Sequence, residues 1–156
     1  MTTDARFEDG REAPLNIGAM EAEDLKILSA LAQDAVFPAS EMRWEKATRQ
    51  FALLINRFRW EDDRPARRPP ERVQSVLSIR NVLKVASQGV TRGDSETILS
   101  VLSIAFEETD APSGHVHLTL AGDGAIRVSV EALDVQLKDV TRPYMAPSRQ
   151  TPSHPE

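Results

Sequence analysis

The chain has 156 residues, of which 40% are hydrophobic and 28% are charged, and it contains no cysteine. This length and composition predict one globular domain whose core needs no disulfide or structural metal. The lack of cysteine excludes disulfides, thiolate metal sites and cysteine nucleophiles. The net charge is −5, and residues 1–24, with seven acids and two bases, carry all of it. The neutral remainder argues against nucleic acid as a partner.

The chain is expected to be cytoplasmic, without a membrane partner. Its polar, acidic start, "MTTDARFEDGREAP", lacks the apolar run of a secretory signal, and its longest apolar-rich run, "ILSVLSIAF", is too short to span a bilayer. We predict a flexible acidic leader over residues 1–20 and a single domain over residues 21–142. Residues 143–156 contain four prolines and are predicted to be a disordered tail.

The first predicted element is an α-helix between Ala22 and Ala35. Leu25, Leu28 and Leu31 follow helical spacing and form one apolar stripe. The acids near its start suit the positive end of the helix dipole. The helix is expected to end before the proline that follows in "AVFP".

The stretch "EMRWEKATRQFALLINRFRW" predicts a β-hairpin. A four-residue loop over residues 46–49 would place Trp44 opposite Phe51 and Met42 opposite Leu53. That register puts the apolar residues of both strands on one face of the sheet.

The second strand of this hairpin is predicted to change face after Ile55. Phe58 is apolar, whereas Arg57 and Arg59 on either side of it are charged. A β-bulge or a strong twist near Asn56 would account for the change.

Two further strand regions follow a charged, proline-rich segment, residues 61–72, which is predicted to be a loop. Residues 73–85 predict one long half-buried strand or two strands with a break, with Leu83 on the buried side. The next strand is predicted to bury four apolar residues of one parity. They are Ile98, Leu102, Ile104 and Phe106.

The stretch "HVHLTLAGDGAIRVSVE" predicts a second hairpin, since apolar and polar residues alternate on both sides of a glycine-rich turn. We predict a three-residue loop over residues 122–124, in which the glycines allow positive φ angles. This loop would pair His117 with Ser129 and His115 with Glu131.

The last predicted element is a short C-terminal helix. Leu133, Leu137 and Val140 have the spacing i, i+4, i+7. Two helices with six to seven antiparallel strands predict an α+β domain built on a strongly curved sheet or partial barrel. The C-terminal helix would close one end of that sheet, as in pleckstrin-homology-like folds.

The stretches "EDLKILSALAQDAVF", "FALLINRFRWE", "RVQSVLSIRNVLKVASQGV", "ILSVLSIAFE" and "LTLAGDGAIRVSVEALDVQLKDV" together resemble a family of short bacterial proteins classified as a domain of unknown function. The resemblance covers about residues 22–140. It implies a shared fold, and it brings no activity, cofactor or active-site residue that could be transferred to this chain.

The first candidate site is a metal centre formed by His115, His117 and Glu131. The two histidines lie on one strand face roughly 7 Å apart, and the predicted register places the carboxylate opposite the first of them. Such a set leaves open coordination positions, as in catalytic zinc and non-haem iron sites. The more ordinary interpretation is a solvated strand face that binds no metal, since Arg127 disfavours a divalent cation there.

The second candidate site is a group of arginines that could bind a phosphate or a carboxylate. Its members are Arg57, Arg59, Arg64, Arg67 and Arg68. Interleaved acids favour a self-neutralising loop instead. Trp44, Phe58 and Trp60 could form an aromatic binding face, although core packing is the commoner role of alternating aromatic residues.

No glycine-rich phosphate loop, nucleophile elbow or paired serine, histidine and aspartate signature is present in the sequence. We therefore predict a non-catalytic protein- or peptide-binding adaptor domain that needs no cofactor and has another protein as its partner. The alternative is a metal-dependent enzyme that uses the two histidines and Glu131. The sequence does not fix the oligomeric state.

Overall fold

The structure is a computed structural model that describes residues 14–60, 71–90 and 96–141, together with the backbone of residues 144–145. These residues form eleven antiparallel strands and one α-helix. In chain order the elements are β1 Asn16–Ala19, α1 Ala22–Ala32, β2 Val36–Pro38, a 3-10 turn Ala39–Glu41, β3 Met42–Glu45, β4 Gln50–Phe58, β5 Glu71–Ile79, β6 Val82–Gln88, β7 Ile98–Glu108, β8 Gly114–Leu120, β9 Ala125–Val130, β10 Val135–Asp139 and β11 Tyr144–Met145.

The strands form one open sheet in the order β1-β10-β5-β4-β2-β7-β8-β9-β6. β3 pairs with β4, and β11 pairs with β5, outside this path. β1 and β6 are therefore the outer strands of this path. The core lies between the inner face of the sheet and α1, which packs mainly on β7 and β1.

The predicted N-terminal helix is confirmed as α1, although it ends at Ala32 and not at Ala35. Leu25 and Leu28 are fully buried against the sheet, as their spacing predicted. The chain leaves the helix at Asp34, whose φ of 66° lies in the left-handed region. A residue with positive φ cannot continue a right-handed helix, which explains the earlier end.

The register predicted for the first hairpin is confirmed. Met42 lies opposite Leu53 and Trp44 lies opposite Phe51, with the loop at residues 46–49. Strict alternation and a loop of fixed length left one register that buries both apolar faces.

The change of face predicted near Asn56, from a β-bulge or a strong twist, was wrong. β4 pairs with β5 from Phe51 to Phe58 without a register shift, so Arg57 stays on the same inner face as Ile55. The guanidinium is fully buried there. The prediction failed because it assumed that a charged side chain must point outward.

Of the two alternatives for residues 73–85, the structure has two strands with a break, which is the turn between β5 and β6 where Asn81 has a φ of 58°. The buried side predicted for Leu83 was wrong, because this leucine is 52% exposed and Val82 is buried instead. A register shift between Val82 and Lys84 changes the face of the strand.

The faces predicted for the strand after residue 97 were wrong in its first half. Ile98 and Leu102 are exposed, whereas Val101 is buried. β7 has a register shift between Val101 and Ser103 where it pairs with β8, and Ile104 beyond the shift is buried as predicted. A bulge therefore interrupts one continuous apolar run.

The predicted C-terminal helix was wrong, because this segment is β10, paired with β1 and β5. Leu137 is buried within β10, and Leu133 is buried two residues before that strand begins. An even spacing of four residues is compatible with one face of an extended chain as well as with one side of a helix. Within the described ranges no helix closes the sheet, so the helix on which the predicted likeness to pleckstrin-homology-like folds depended is not found there. The described residues form eleven strands, not six or seven.

The sheet includes short strands beyond the predicted ends of the domain. Residues 16–19, assigned to the leader, form β1, and residues 144–145, assigned to the disordered tail, form β11. Residues 1–13 and 146–156 lie outside the described residues, as do residues 61–70 of the predicted charged loop. In the part of the chain that the structure describes, no helix has the length and apolar character needed to cross a membrane.

Candidate functional site

The second hairpin forms with a register two residues away from the predicted one. His117 lies opposite Arg127 and His115 lies opposite Ser129, so the predicted pairing of His115 with Glu131 was wrong. Apolar alternation fixes only the parity of a register, and a shift of two residues keeps every side chain on its own face. Glu131 therefore lies beyond the end of β9.

The three predicted metal ligands each have a different partner. His115 Nδ1 lies 3.0 Å from the hydroxyl of Ser129, and His117 Nε2 lies 3.1 Å from Glu107 Oε1. Glu131 instead forms a 2.7 Å ion pair with Arg49 in the loop between β3 and β4. The structure does not bring the three ligands together. Across the described ranges, no group of three or more histidine, aspartate and glutamate residues is placed to hold a metal ion.

Arg57, from the predicted arginine site, is instead part of a buried polar cluster. Its Nη2 donates to both carboxylate oxygens of Asp139 at 3.0 and 3.1 Å, and its Nε donates to Ser75 Oγ at 3.0 Å. Ser75 donates to Asp139 Oδ1 at 2.6 Å, and the backbone N–H of Leu15 donates to Oδ2 at 2.8 Å. A buried ion pair with this many hydrogen bonds has a structural role, because each charge has a partner.

The rest of the predicted arginine group forms no common site in the part of the chain that is described. Arg59 is buried, and its Nη1 forms an ion pair with Glu71 Oε1 at 3.1 Å. Arg64, Arg67 and Arg68 lie outside the described residues.

The three aromatic residues separate into two places. The rings of Phe58 and Trp60 have centroids 4.7 Å apart, and the indole N–H of Trp60 donates to the Gln33 carbonyl at 2.8 Å. Trp44 is partly buried and packs against the core from β3. It also lines a groove on the surface.

This groove, which we call the edge groove, lies between outer strand β6 and the hairpin of β3 and β4. Its volume is about 640 Å³. It is lined by Trp44, Lys46, Arg49, Val82, Leu83, Lys84 and Val85.

Two local features of the backbone shape the edge groove. The backbone N–H of Val82 donates to the Arg49 carbonyl at 2.9 Å, which fixes the start of β6 against the hairpin loop. The register shift that follows turns Leu83 outward, where its side chain forms an exposed apolar wall. Trp44 supplies an aromatic wall in the same groove.

Among the residues that the structure describes, the lining of the edge groove carries three cations and no acid. Arg49 is neutralised by Glu131 at 2.7 Å. Lys46 and Lys84 form no ion pair with any residue that the structure describes. The groove therefore offers apolar contact area beside unpaired positive charge, a combination that suits a ligand with apolar and acidic groups.

Sequence reasoning identified only part of the edge groove. Trp44 was named as a candidate binding residue, whereas Leu83 was assigned to the core. The "RN" pair before β6 was a usable signal, because asparagine tolerates the positive φ of a tight turn. A turn at this point means that the alternation of β5 does not predict which residues of β6 are buried.

A family model described as "Protein of unknown function (DUF2948)" matches residues 15–154. The match includes β1, consistent with its place in the sheet beside β10. No curated protein and no solved structure matches the chain significantly.

Proposed function

The chain belongs to this family of proteins of unknown function, and we propose that it is a non-catalytic domain that binds an acidic peptide segment of a protein partner in the edge groove. One observation carries the proposal. The groove places Trp44 and the exposed Leu83 beside Lys46 and Lys84, which have no ion-pair partner among the described residues.

The apolar part of the groove supports a peptide as the ligand. Leu83 projects from an outer strand with about half of its surface in water, and Trp44 lies in the same depression. Tryptophan in a concave site often supplies a large share of binding energy, since it buries a wide apolar surface. A volume of about 640 Å³ is also typical of ligand pockets and could hold one large apolar side chain with its neighbours.

The charge of the groove supports acidic neighbours around that apolar side chain. Lys46 and Lys84 are exposed on either side of the apolar lining. The chain as a whole carries a net charge of −5, so the groove is a positive patch on a negative protein. Such a patch would steer an acidic segment to this place and disfavour basic segments.

The chemistry of the lining supports binding without catalysis. The described side chains of the lining are aromatic, aliphatic or cationic, and none of them is a histidine, carboxylate, serine or threonine. General acid–base catalysis at neutral pH and hydroxyl nucleophiles most often use those residue types.

The test is the selection of peptides from a random displayed library on the full chain. We expect the selected peptides to carry an apolar residue flanked by aspartate or glutamate. Their affinity is expected to fall about tenfold or more in Leu83→Ser and in the double variant Lys46→Glu with Lys84→Glu, because each change removes one part of the groove.

Matched controls lie on α1. Ile27 is an aliphatic residue with 63% of its surface exposed, and Lys26 is an exposed lysine on the same helix. Ile27→Ser and Lys26→Glu should bind the selected peptides as the wild type does. Selected peptides without acidic residues, or equal losses in groove and helix variants, would contradict the proposal.

A further inference from the structure

A second concave surface lies on the outer face of the sheet, across β3, β4, β5 and β10. We call it the outer cradle, and its volume is about 360 Å³. It is lined by Arg43, Glu45, Gln50, Ala52, Val76, Ser78, Arg80, Gln136, Lys138 and Val140.

The strand register explains the concave shape. Arg43, Ala52, Ser78 and Gln136 occupy one row, each directly opposite the next on neighbouring strands. The two central positions carry small side chains, while the outer positions carry long ones. The floor is therefore low in the middle and bounded by polar groups at both sides.

Two cations at opposite sides of the outer cradle have no acidic partner. Arg43 on β3 and Lys138 on β10 are exposed and form no ion pair with a described residue. A third cation, Arg80, lies 3.9 Å from Asp134. Glu45, the single acid among the described lining residues, accepts a hydrogen bond from a neighbouring threonine at 3.2 Å and keeps its negative charge. The described lining therefore has three cations against one acid, and a net positive charge remains in the cradle.

We propose that the outer cradle binds an elongated small molecule with an anionic group at each end, such as a dicarboxylate. β3 and β10 are three strand spacings apart, roughly 14 Å, so a single carboxylate is too small to engage Arg43 and Lys138 together. A neutral ligand body would lie on the floor formed by Ala52 and Val76. This site is separate from the edge groove, because successive residues of β3 point to opposite faces: Arg43 lines the cradle and Trp44 lines the groove.

The test is calorimetric titration of the full chain, at low ionic strength, with adipate, suberate and sebacate. Hexanoate and octanoate serve as ligands with one anionic end. We expect saturable one-to-one binding of at least one dicarboxylate, with an affinity about tenfold or more above that of the monocarboxylate of equal length. That factor corresponds to the loss of one charge-assisted hydrogen bond.

Three single variants separate the cradle from the rest of the surface. Arg43→Gln and Lys138→Gln should each weaken dicarboxylate binding about tenfold. Lys84→Gln, which removes an unpaired cation from the edge groove, should leave it unchanged. The proposal is overturned if no dicarboxylate binds, if monocarboxylates bind equally well, or if Lys84→Gln weakens binding as much as the cradle variants do.

Discussion

The inner and outer faces of β4, β5 and their neighbours use positive charge in opposite ways. On the inner face, Arg57 is fully buried and is held by Asp139 and Ser75. On the outer face, Arg43 and Lys138 are exposed and have no acidic partner among the described residues. The residue type therefore does not separate the buried, paired cation from the exposed cations that we propose to bind a ligand. The partner does.

The difference follows from the cost of removing a charge from water. A buried guanidinium without a partner would cost several kcal/mol. Arg57 can lie in the core because Asp139 supplies its counter-ion and because Asp139, Ser75 and the Phe58 carbonyl accept its hydrogen bonds. Exposed Arg43 stays hydrated and carries no such cost. Its charge remains available for a ligand.

The largest expected effect comes from removing the buried carboxylate. Asp139→Ala leaves Arg57 without its counter-ion, and we expect the free energy of unfolding to fall by about 3–5 kcal/mol, measured by urea denaturation. Replacing both partners, Arg57→Met with Asp139→Leu, should recover much of that loss because no buried charge remains. Glu23→Ala on the exposed first turn of α1 is the control. Equal stability of Asp139→Ala and this control would show that the pair does not stabilise the fold.

A smaller loss of stability is expected from deleting the N-terminal segment that contacts the buried pair of Arg57 and Asp139. The backbone N–H of Leu15 donates to the Asp139 carboxylate, and the Leu15 carbonyl accepts from the Asp139 backbone N–H. β1 also packs Ile17 and Ala19 on the core. A variant lacking residues 1–19 should be less stable than one lacking residues 1–13 by on the order of 2 kcal/mol, the value of one buried aliphatic side chain. Equal melting temperatures for the two deletions would mean that β1 does not stabilise the sheet.

Local patterns predicted the parts of the fold that depend on neighbouring residues. The register of β3 and β4 followed from alternation and a short loop, and α1 followed from the spacing of Leu25 and Leu28. The same patterns failed where two different structures would bury the same residues. The second hairpin shifted by two residues, and Leu133 and Leu137 fit a strand as well as a helix.

The two proposed sites could not be predicted, because residues distant in sequence form them. Nothing in the sequence places β10 beside β5, and the outer cradle depends on the pairing of these two strands. The buried pair depends on it too, since Asp139 lies 82 positions after Arg57. In the edge groove, Trp44 was recognisable as an aromatic candidate, whereas the exposure of Leu83 depends on a register shift that alternation does not reveal.

Urea denaturation of two variants with the same substitution, Arg57→Gln and Arg43→Gln, tests the contrast between the two faces most directly. Both changes remove a guanidinium from adjacent strands of one sheet, so they differ mainly in burial and partner. We predict that Arg57→Gln loses about 3–5 kcal/mol of unfolding free energy, whereas Arg43→Gln stays within about 0.5 kcal/mol of the wild type. Equal losses would contradict the assignment of the inner cation to stability and the outer cation to binding.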